Sequence, residues 1–167
     1  MMNNKLLNLI KSGEIELAFV LAKSQNYNMF KIYKKYHDLI FFHAKYTTIN
    51  TPLIDDDYIK NQIIEIVKVT YLQLRNFNID KLPKGFDLFT NLTRIDLAKN
   101  KLRSVHQLRD LNKLKDLNLN GNKLEKLPNF IFQMKNLKFL NLGNNKFNKF
   151  EKNRIRKNIN KSINLIL

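Results

Sequence analysis

Few residues in this chain are of types that carry out chemistry, and their spacing argues against most of it. The three histidines are His37, His43 and His106. The first two stand six residues apart, off a shared helical face, and no grouping has metal-ligand spacing. Each reads as a packing or surface residue. Asp55, Asp56 and Asp57 form the densest carboxylate run. A calcium loop needs alternating ligands, a glycine at its sharp turn and a closing glutamate, and none of these follows. Aspartates ahead of a helical pattern supply an N-cap instead. The chain has no cysteine, which removes thiol catalysis, disulfides and cysteine-held zinc. No G-x-x-x-x-G-K-[ST], G-x-G-x-x-G or G-x-S-x-G is present, and only 4 glycines exist to build a phosphate loop. The expectation is a protein without catalysis, metal or cofactor.

A quieter chemistry, hydrogen bonding by side-chain amides, recurs with a period. Four segments align: VTYLQLRNFNIDKLP from Val69, LTRIDLAKNKLRSV from Leu92, LKDLNLNGNKLEKLP from Leu114 and LKFLNLGNNKFNKF from Leu137. Their starts are 23, 22 and 23 residues apart. Each fits L-x-x-L-x-L-x-x-N-x-L with aliphatic or Phe substitutions, except that Phe77 replaces the first asparagine. The alternation in x-L-x-L predicts a strand with one buried face. Leu72/Leu74, Ile95/Leu97, Leu117/Leu119 and Leu140/Leu142 then point inward. The chain must turn sharply afterwards, and the backbone groups inside the turn need partners. Asn100, Asn122 and Asn145 can supply them, because an amide carries two donors and an acceptor. Stacked copies predict an asparagine ladder. A second apolar pair follows each turn: Ile79/Leu82, Leu102/Val105, Leu124/Leu127 and Phe147/Phe150. Short helical turns are expected after Pro83 and Pro128, and a slightly longer helix in VHQLRDLNKL. A module before the repeats is expected to cover the ring of Phe77.

Over roughly residues 66–160 this pattern resembles the leucine-rich repeat family. The resemblance implies an α/β fold, a short right-handed solenoid with about four parallel strands on its concave side. It also implies that the strand positions between leucines face out in three columns. The first is Tyr71, Arg94, Asp116 and Phe139; the second is Gln73, Asp96, Asn118 and Asn141; the third is Arg75, Ala98, Asn120 and Gly143. In that family such columns bind another protein. The candidate partner-binding residues are therefore Tyr71, Gln73, Arg75, Arg94, Asp96, Asp116, Asn118, Asn120, Phe139 and Asn141. Tyr and Arg are the types that most often anchor interfaces. Four strands about 4.8 Å apart and about 16 Å long give a patch of roughly 300 Å². A stable interface takes about 800 Å² per partner, so the sheet alone is small.

Charge offers a second reading. The net charge is +16. Residues 1–65 carry 8 Lys against 7 Asp/Glu, whereas residues 66–167 carry 22 Lys+Arg against 7 Asp/Glu. Such a field attracts acidic proteins or nucleic acid, although surface lysine also accumulates in a Lys- and Asn-rich composition without a partner. Lys101, Lys123 and Lys146 share one repeat position after the asparagine turn and are expected to stack on one flank. With Lys126, Lys149, Arg154, Arg156 and Lys157 they form an alternative polyanion-binding surface. Nucleic acid is the weaker expectation, because the stripe lacks interleaved aromatics and no recognition motif is present.

The elements that hold these surfaces divide the chain into three expected parts. Residues 1–65 do not repeat and read as a helical N-terminal cap. There Ile15, Leu17, Ala18 and Leu21 share one helical face, and a longer helix follows with Phe30, Tyr33, His37, Ile40 and Phe41. Thr51-Pro52 breaks it ahead of a helix near Tyr58–Ile66. This leader resembles the helical leaders of some bacterial intracellular leucine-rich-repeat proteins. Residues 66–150 hold the four repeats. Residues 151–167 read as a C-terminal cap, a basic helix from about Glu151 to Asn158 and an edge strand Ile163–Leu167. No run of 18 apolar residues is present and the start is too short for a signal-peptide core, so the expected setting is cytoplasmic and off the membrane. The sequence-level reading is protein–protein recognition without catalysis, acidic proteins being one class of partner.

Overall fold

The L-x-L pairs become strands because only alternate positions can reach the interior. In the computed structural model, which describes residues 4–25, 36, 38, 39, 42 and 56–167, they form β1 (Tyr71–Gln73), β2 (Arg94–Asp96), β3 (Asp116–Asn118) and β4 (Phe139–Asn141). A fifth strand, β5 (Asn164–Ile166), comes from the end of the chain. Among the described residues these make one open parallel sheet in the order β1-β2-β3-β4-β5. Its register follows the repeat: Leu72 pairs with Ile95, Ile95 with Leu117, Leu117 with Leu140 and Leu140 with Leu165. The strands are three residues long, so burial rather than a long ladder holds them. All eight inward residues of the L-x-L pairs are buried, each contributing about 2 kcal/mol of hydrophobic stabilisation.

The chain divides into two units, one of Met1–Val69 with Pro83–Asn91, the other of Thr70–Leu82 with Leu92–Leu167. The first unit contains α1 (Asn4–Ser12), α2 (Ile15–Ser24) and α3 (Asp56–Lys68). Its core takes Leu6 and Ile10 from α1, Ile63 and Ile66 from α3, and Phe86 and Phe89 from the return segment. On α2 the buried stripe is Ile15, Ala18, Phe19 and Ala22. The expected face held Leu17, which is 52% exposed. Two residues of helix turn through about 200°, so Leu17 lies opposite Ile15. The expected helix through Phe30, Tyr33, His37, Ile40 and Phe41, together with His43 and Asp55, lies outside the described residues.

In the second unit each coil returns behind the sheet, and the second apolar pairs Ile79/Leu82, Leu102/Val105 and Leu124/Leu127 are buried. The last pair breaks the pattern. Phe147 is buried but Phe150 is 84% exposed, because the chain there has entered α4 (Lys149–Asn158). In that helix Glu151 and Ile155 face inward instead. The return segments also correct the expected lengths. VHQLRDLNKL forms only the single 3₁₀ turn His106–Leu108, and the longer run is Asn129–Gln133. The 22-residue copy has one residue fewer to span the same distance, and tight helix covers less distance per residue than extended chain.

Candidate functional site

The turn after each strand is the first thing the sheet needs. In all four coils the residue one before the asparagine position takes a left-handed conformation: Asn76 (φ 64°), Lys99 (φ 56°), Gly121 (φ 67°) and Asn144 (φ 56°). Glycine and asparagine adopt it most easily, and Lys99 is the exception. The asparagines then bridge coils. Asn122 Oδ1 accepts from the Leu102 amide at 3.0 Å, and its Nδ2 donates to the carbonyls of Leu97 (2.9 Å) and Leu119 (3.0 Å). Asn100 Oδ1 accepts from Phe77 and Ile79 amides, and its Nδ2 donates to Leu74 and Leu97. Asn145 accepts from Leu124 and donates to Leu119 and Leu142. The Leu97 and Leu119 carbonyls each receive two asparagines, so the ladder is continuous. Phe77, at the first ladder position, is 45% exposed.

On the outer face the first column forms a connected row. The Arg94 guanidinium lies 5.6 Å from the centre of the Tyr71 ring, and its Nε bonds Asp116 Oδ2 at 3.0 Å. Asp116 pairs in register with Phe139. The side chain of Arg94 is 61% exposed against 33% for Asp116, so the row presents the cation more than the carboxylate. Tyr71, Arg94, Asp96, Asp116, Asn118 and Phe139 line an open depression of about 360 Å³. Arg75 and Asp96 approach to 3.9 Å.

The second column does structural duty that the repeat reading missed. Asp96 Oδ1 accepts from the Ala98 amide, Asn118 Oδ1 from Asn120, and Asn141 Oδ1 from Gly143. Each is an Asx turn that closes its strand. The signal was present, as Asp or Asn at one repeat position in three consecutive copies. Gln73 holds that position in the first copy and is exposed. In the third column Arg75 is exposed and Asn120 half-buried, whereas Ala98 is fully buried and offers nothing to a partner. A Cβ on Gly143 would meet Asn120 Nδ2 at 2.9 Å, so that column is also tightly packed.

The lysine flank is assembled by backbone bonds. The amides of Lys101, Lys123 and Lys146 donate to Ile79, Leu102 and Leu124 carbonyls, one coil back in each case. Lys101, Lys126, Lys146, Lys149, Arg156 and Lys157 are exposed. Arg154 is otherwise engaged. It bonds Glu151 through Nε at 2.8 Å and Asn129 through Nη1 at 2.8 Å, donates to the Leu127 carbonyl, and lies 5.1 Å from the centre of the Phe132 ring. Glu151 in turn accepts from the Leu127 amide at 2.8 Å. Bonding to Arg154 holds the Glu151 carboxyl below the usual carboxylate range, against the opposing effect of its burial. Arg154 is therefore a clamp between α4 and the coil before it, not a free cation. Among the described residues no three His, Asp or Glu side chains gather to hold a metal, and no helix is long and apolar enough to cross a membrane.

Comparison with known proteins agrees with this geometry. A leucine rich repeat family model matches residues 67–124. The volume-regulated anion channel subunit LRRC8D of Rattus norvegicus is 30% identical over 89 residues, 52% of this chain and 10% of that protein. The flightless-1 homolog of Caenorhabditis elegans is 29% identical over 92 residues, 53% of this chain and 7% of its own length. Osteomodulin of Bos taurus is 32% identical over 96 residues, 56% of this chain and 22% of its own. Among solved structures, a leucine-rich repeat protein of Leptospira interrogans superposes with a TM-score of 0.50 at 36% identity, over 54% of this chain and 23% of that one. The chain thus spans from 7% to 22% of these curated relatives. Proteins so unlike in length share with it the coil itself, and residues 67–124 carry the repeat of the leucine-rich repeat family.

Proposed function

We propose that the chain is a non-catalytic module that recognises another protein through the outer face of its sheet. The observation that carries this reading is the row Tyr71–Arg94–Asp116–Phe139. It places an exposed aromatic, an exposed guanidinium and a second ring side by side around one depression. Solenoids of this kind use their concave surfaces for binding, and Tyr and Arg dominate binding energy where they occur. The Asx turns tie down Asp96, Asn118 and Asn141, so they act as a preformed rim more than as anchors. Because Arg94 outweighs its shielded carboxylate partner in exposure, the complementary surface carries an acidic group opposite it. The test is capture of partners from nuclease-treated lysate of the source organism by wild type and Arg94→Glu. The reading expects specific proteins to be lost with the variant and retained at moderate salt. Capture that does not change with Arg94→Glu rejects this face.

The stacked lysines carry the other reading, a polyanion held along the flank. In that case capture falls steeply with salt and responds to Lys123→Glu with Arg156→Glu rather than to Arg94→Glu.

A further inference from the structure

A second surface lies behind the sheet, where two return segments run side by side. The turn at His106–Leu108 and the run Asn129–Gln133 bring together residues from non-equivalent positions of two repeats. The Arg109 guanidinium lies 5.7 Å from the centre of the Phe130 ring, and the His106 ring stands 6.3 Å from the same ring. Two depressions adjoin here and share Arg109, Asn129 and Phe130. One, of about 660 Å³, is lined also by Asn112, Gln133 and Lys135. The other, of about 380 Å³, adds His106 and Lys126. The larger lies within the range of ligand pockets, about 300–1,000 Å³.

The chemistry of the lining is selective. Neither depression has an acidic side chain in its wall. Asp110 and Glu125, close in sequence, line neither. Three cations, Arg109, Lys126 and Lys135, are exposed, and so are the carboxamides of Asn112 and Gln133. Among the described residues, neither carboxamide has a hydrogen-bond partner. The cations suit phosphate. The exposed carboxamides offer both donor and acceptor, which suits the edge of a base. A half-buried ring between a guanidinium and an imidazole suits the face of a base, the arrangement by which unpaired strands are held.

We propose that this groove binds single-stranded nucleic acid, with a base stacked at Phe130 and neighbouring phosphates on Arg109, Lys126 and Lys135. A duplex hides base faces inside its stack and leaves Phe130 without a role. An acidic peptide meets the cations but leaves the ring and both carboxamides idle. The site is separate from the outer sheet face, so the two proposals fail independently.

Fluorescence anisotropy with a labelled oligouridine of roughly 12 nucleotides, a length that spans a typical single-strand site, reads the binding directly. The expected result is saturable binding whose log affinity falls with log salt at a slope of about −2, as three cation–phosphate contacts require. Phe130→Leu, which keeps apolar bulk but loses the flat face, is expected to weaken binding about tenfold without lowering the melting temperature. Arg109→Glu is expected to weaken it at least as much, and Arg94→Glu to leave it unchanged. The proposal is overturned by absence of binding at low salt, by duplex of the same sequence binding as tightly, or by an unaltered Phe130→Leu. Displacement by polyglutamate at equal charge concentration overturns it as well, as does loss of binding in Arg94→Glu.

Discussion

At the scale of single residues, the repeat works by giving each backbone group in the turn a partner. Asn122 is the central case. Removing its side chain leaves the Leu102 amide without an acceptor, while the Leu97 and Leu119 carbonyls retain Asn100 and Asn145. One buried orphan costs about 1–3 kcal/mol. Asn122→Ala is therefore expected to lower Tm by about 2–12 °C in thermal denaturation followed by circular dichroism, at roughly 2–4 °C per kcal/mol for a chain of this size. An unchanged Tm contradicts the ladder. Lys99 makes the opposite prediction. It holds φ 56° where the other coils place Asn or Gly, and a left-handed side chain with a Cβ costs about 1–2 kcal/mol. Lys99→Asn is expected to raise stability by up to about 1 kcal/mol in urea unfolding. The amide positions were legible in the sequence because only a group that both donates and accepts fits there. The Asx turns at Asp96, Asn118 and Asn141 were overlooked because an outward-facing polar residue looks like surface until its oxygen is seen to fold back.

At the scale of elements, α4 shows what happens where the repeat runs out. Asn148 caps it by accepting from the Glu151 amide at 2.8 Å. The helix is fastened to the preceding coil by the Glu151–Arg154–Leu127 cluster. The side chains of Glu151 and Arg154 are 9% and 28% exposed, and losing hydrogen bonds to a charged group in such a half-buried pair costs about 1.5–3 kcal/mol. Glu151→Ala is expected to destabilise by about 1.5–3 kcal/mol at neutral pH. Its folded pKa lies below the unfolded value, so the stabilisation is present above the ordinary carboxylate range and lost as pH falls through the lower folded value. Urea melts of wild type and Glu151→Ala across an acidic series should therefore converge; a constant gap contradicts the ion pair. Strand register was readable from L-x-L, since a one-residue slip turns the core face outward. The start of α4 was not. The apolar template extended to Phe150, and only the switch from coil to helix decides that Glu151 and Ile155 go in while Phe150 stays out.

At the scale of the whole molecule, the repeat unit offers two unlike faces, and neither alone is large. β5 adds about 75 Å² to the outer sheet patch, still well short of about 800 Å². A tight complex must therefore engage loops beyond the strands, so a partner's affinity should depend on a few anchors more than on area. In the proposed reading Arg94 is the sharpest of these. Its ion pair is exposed and contributes about 0–1 kcal/mol to folding, so changing it is expected to perturb the proposed recognition with little effect on stability. Why the charge of this half is so positive was not legible from its position in the sequence. The lysines that stack in register are visible as a period, whereas Arg109 and Phe130 meet only through folding. The most direct measurement is quantitative capture of partners from nuclease-treated lysate by wild type, Arg94→Glu, and Lys123→Glu with Arg156→Glu, each first shown to melt like wild type. A defined set of proteins is expected to be lost with Arg94→Glu and kept by the lysine-flank variant. The same set lost with the flank variant and kept by Arg94→Glu would contradict the proposed recognition.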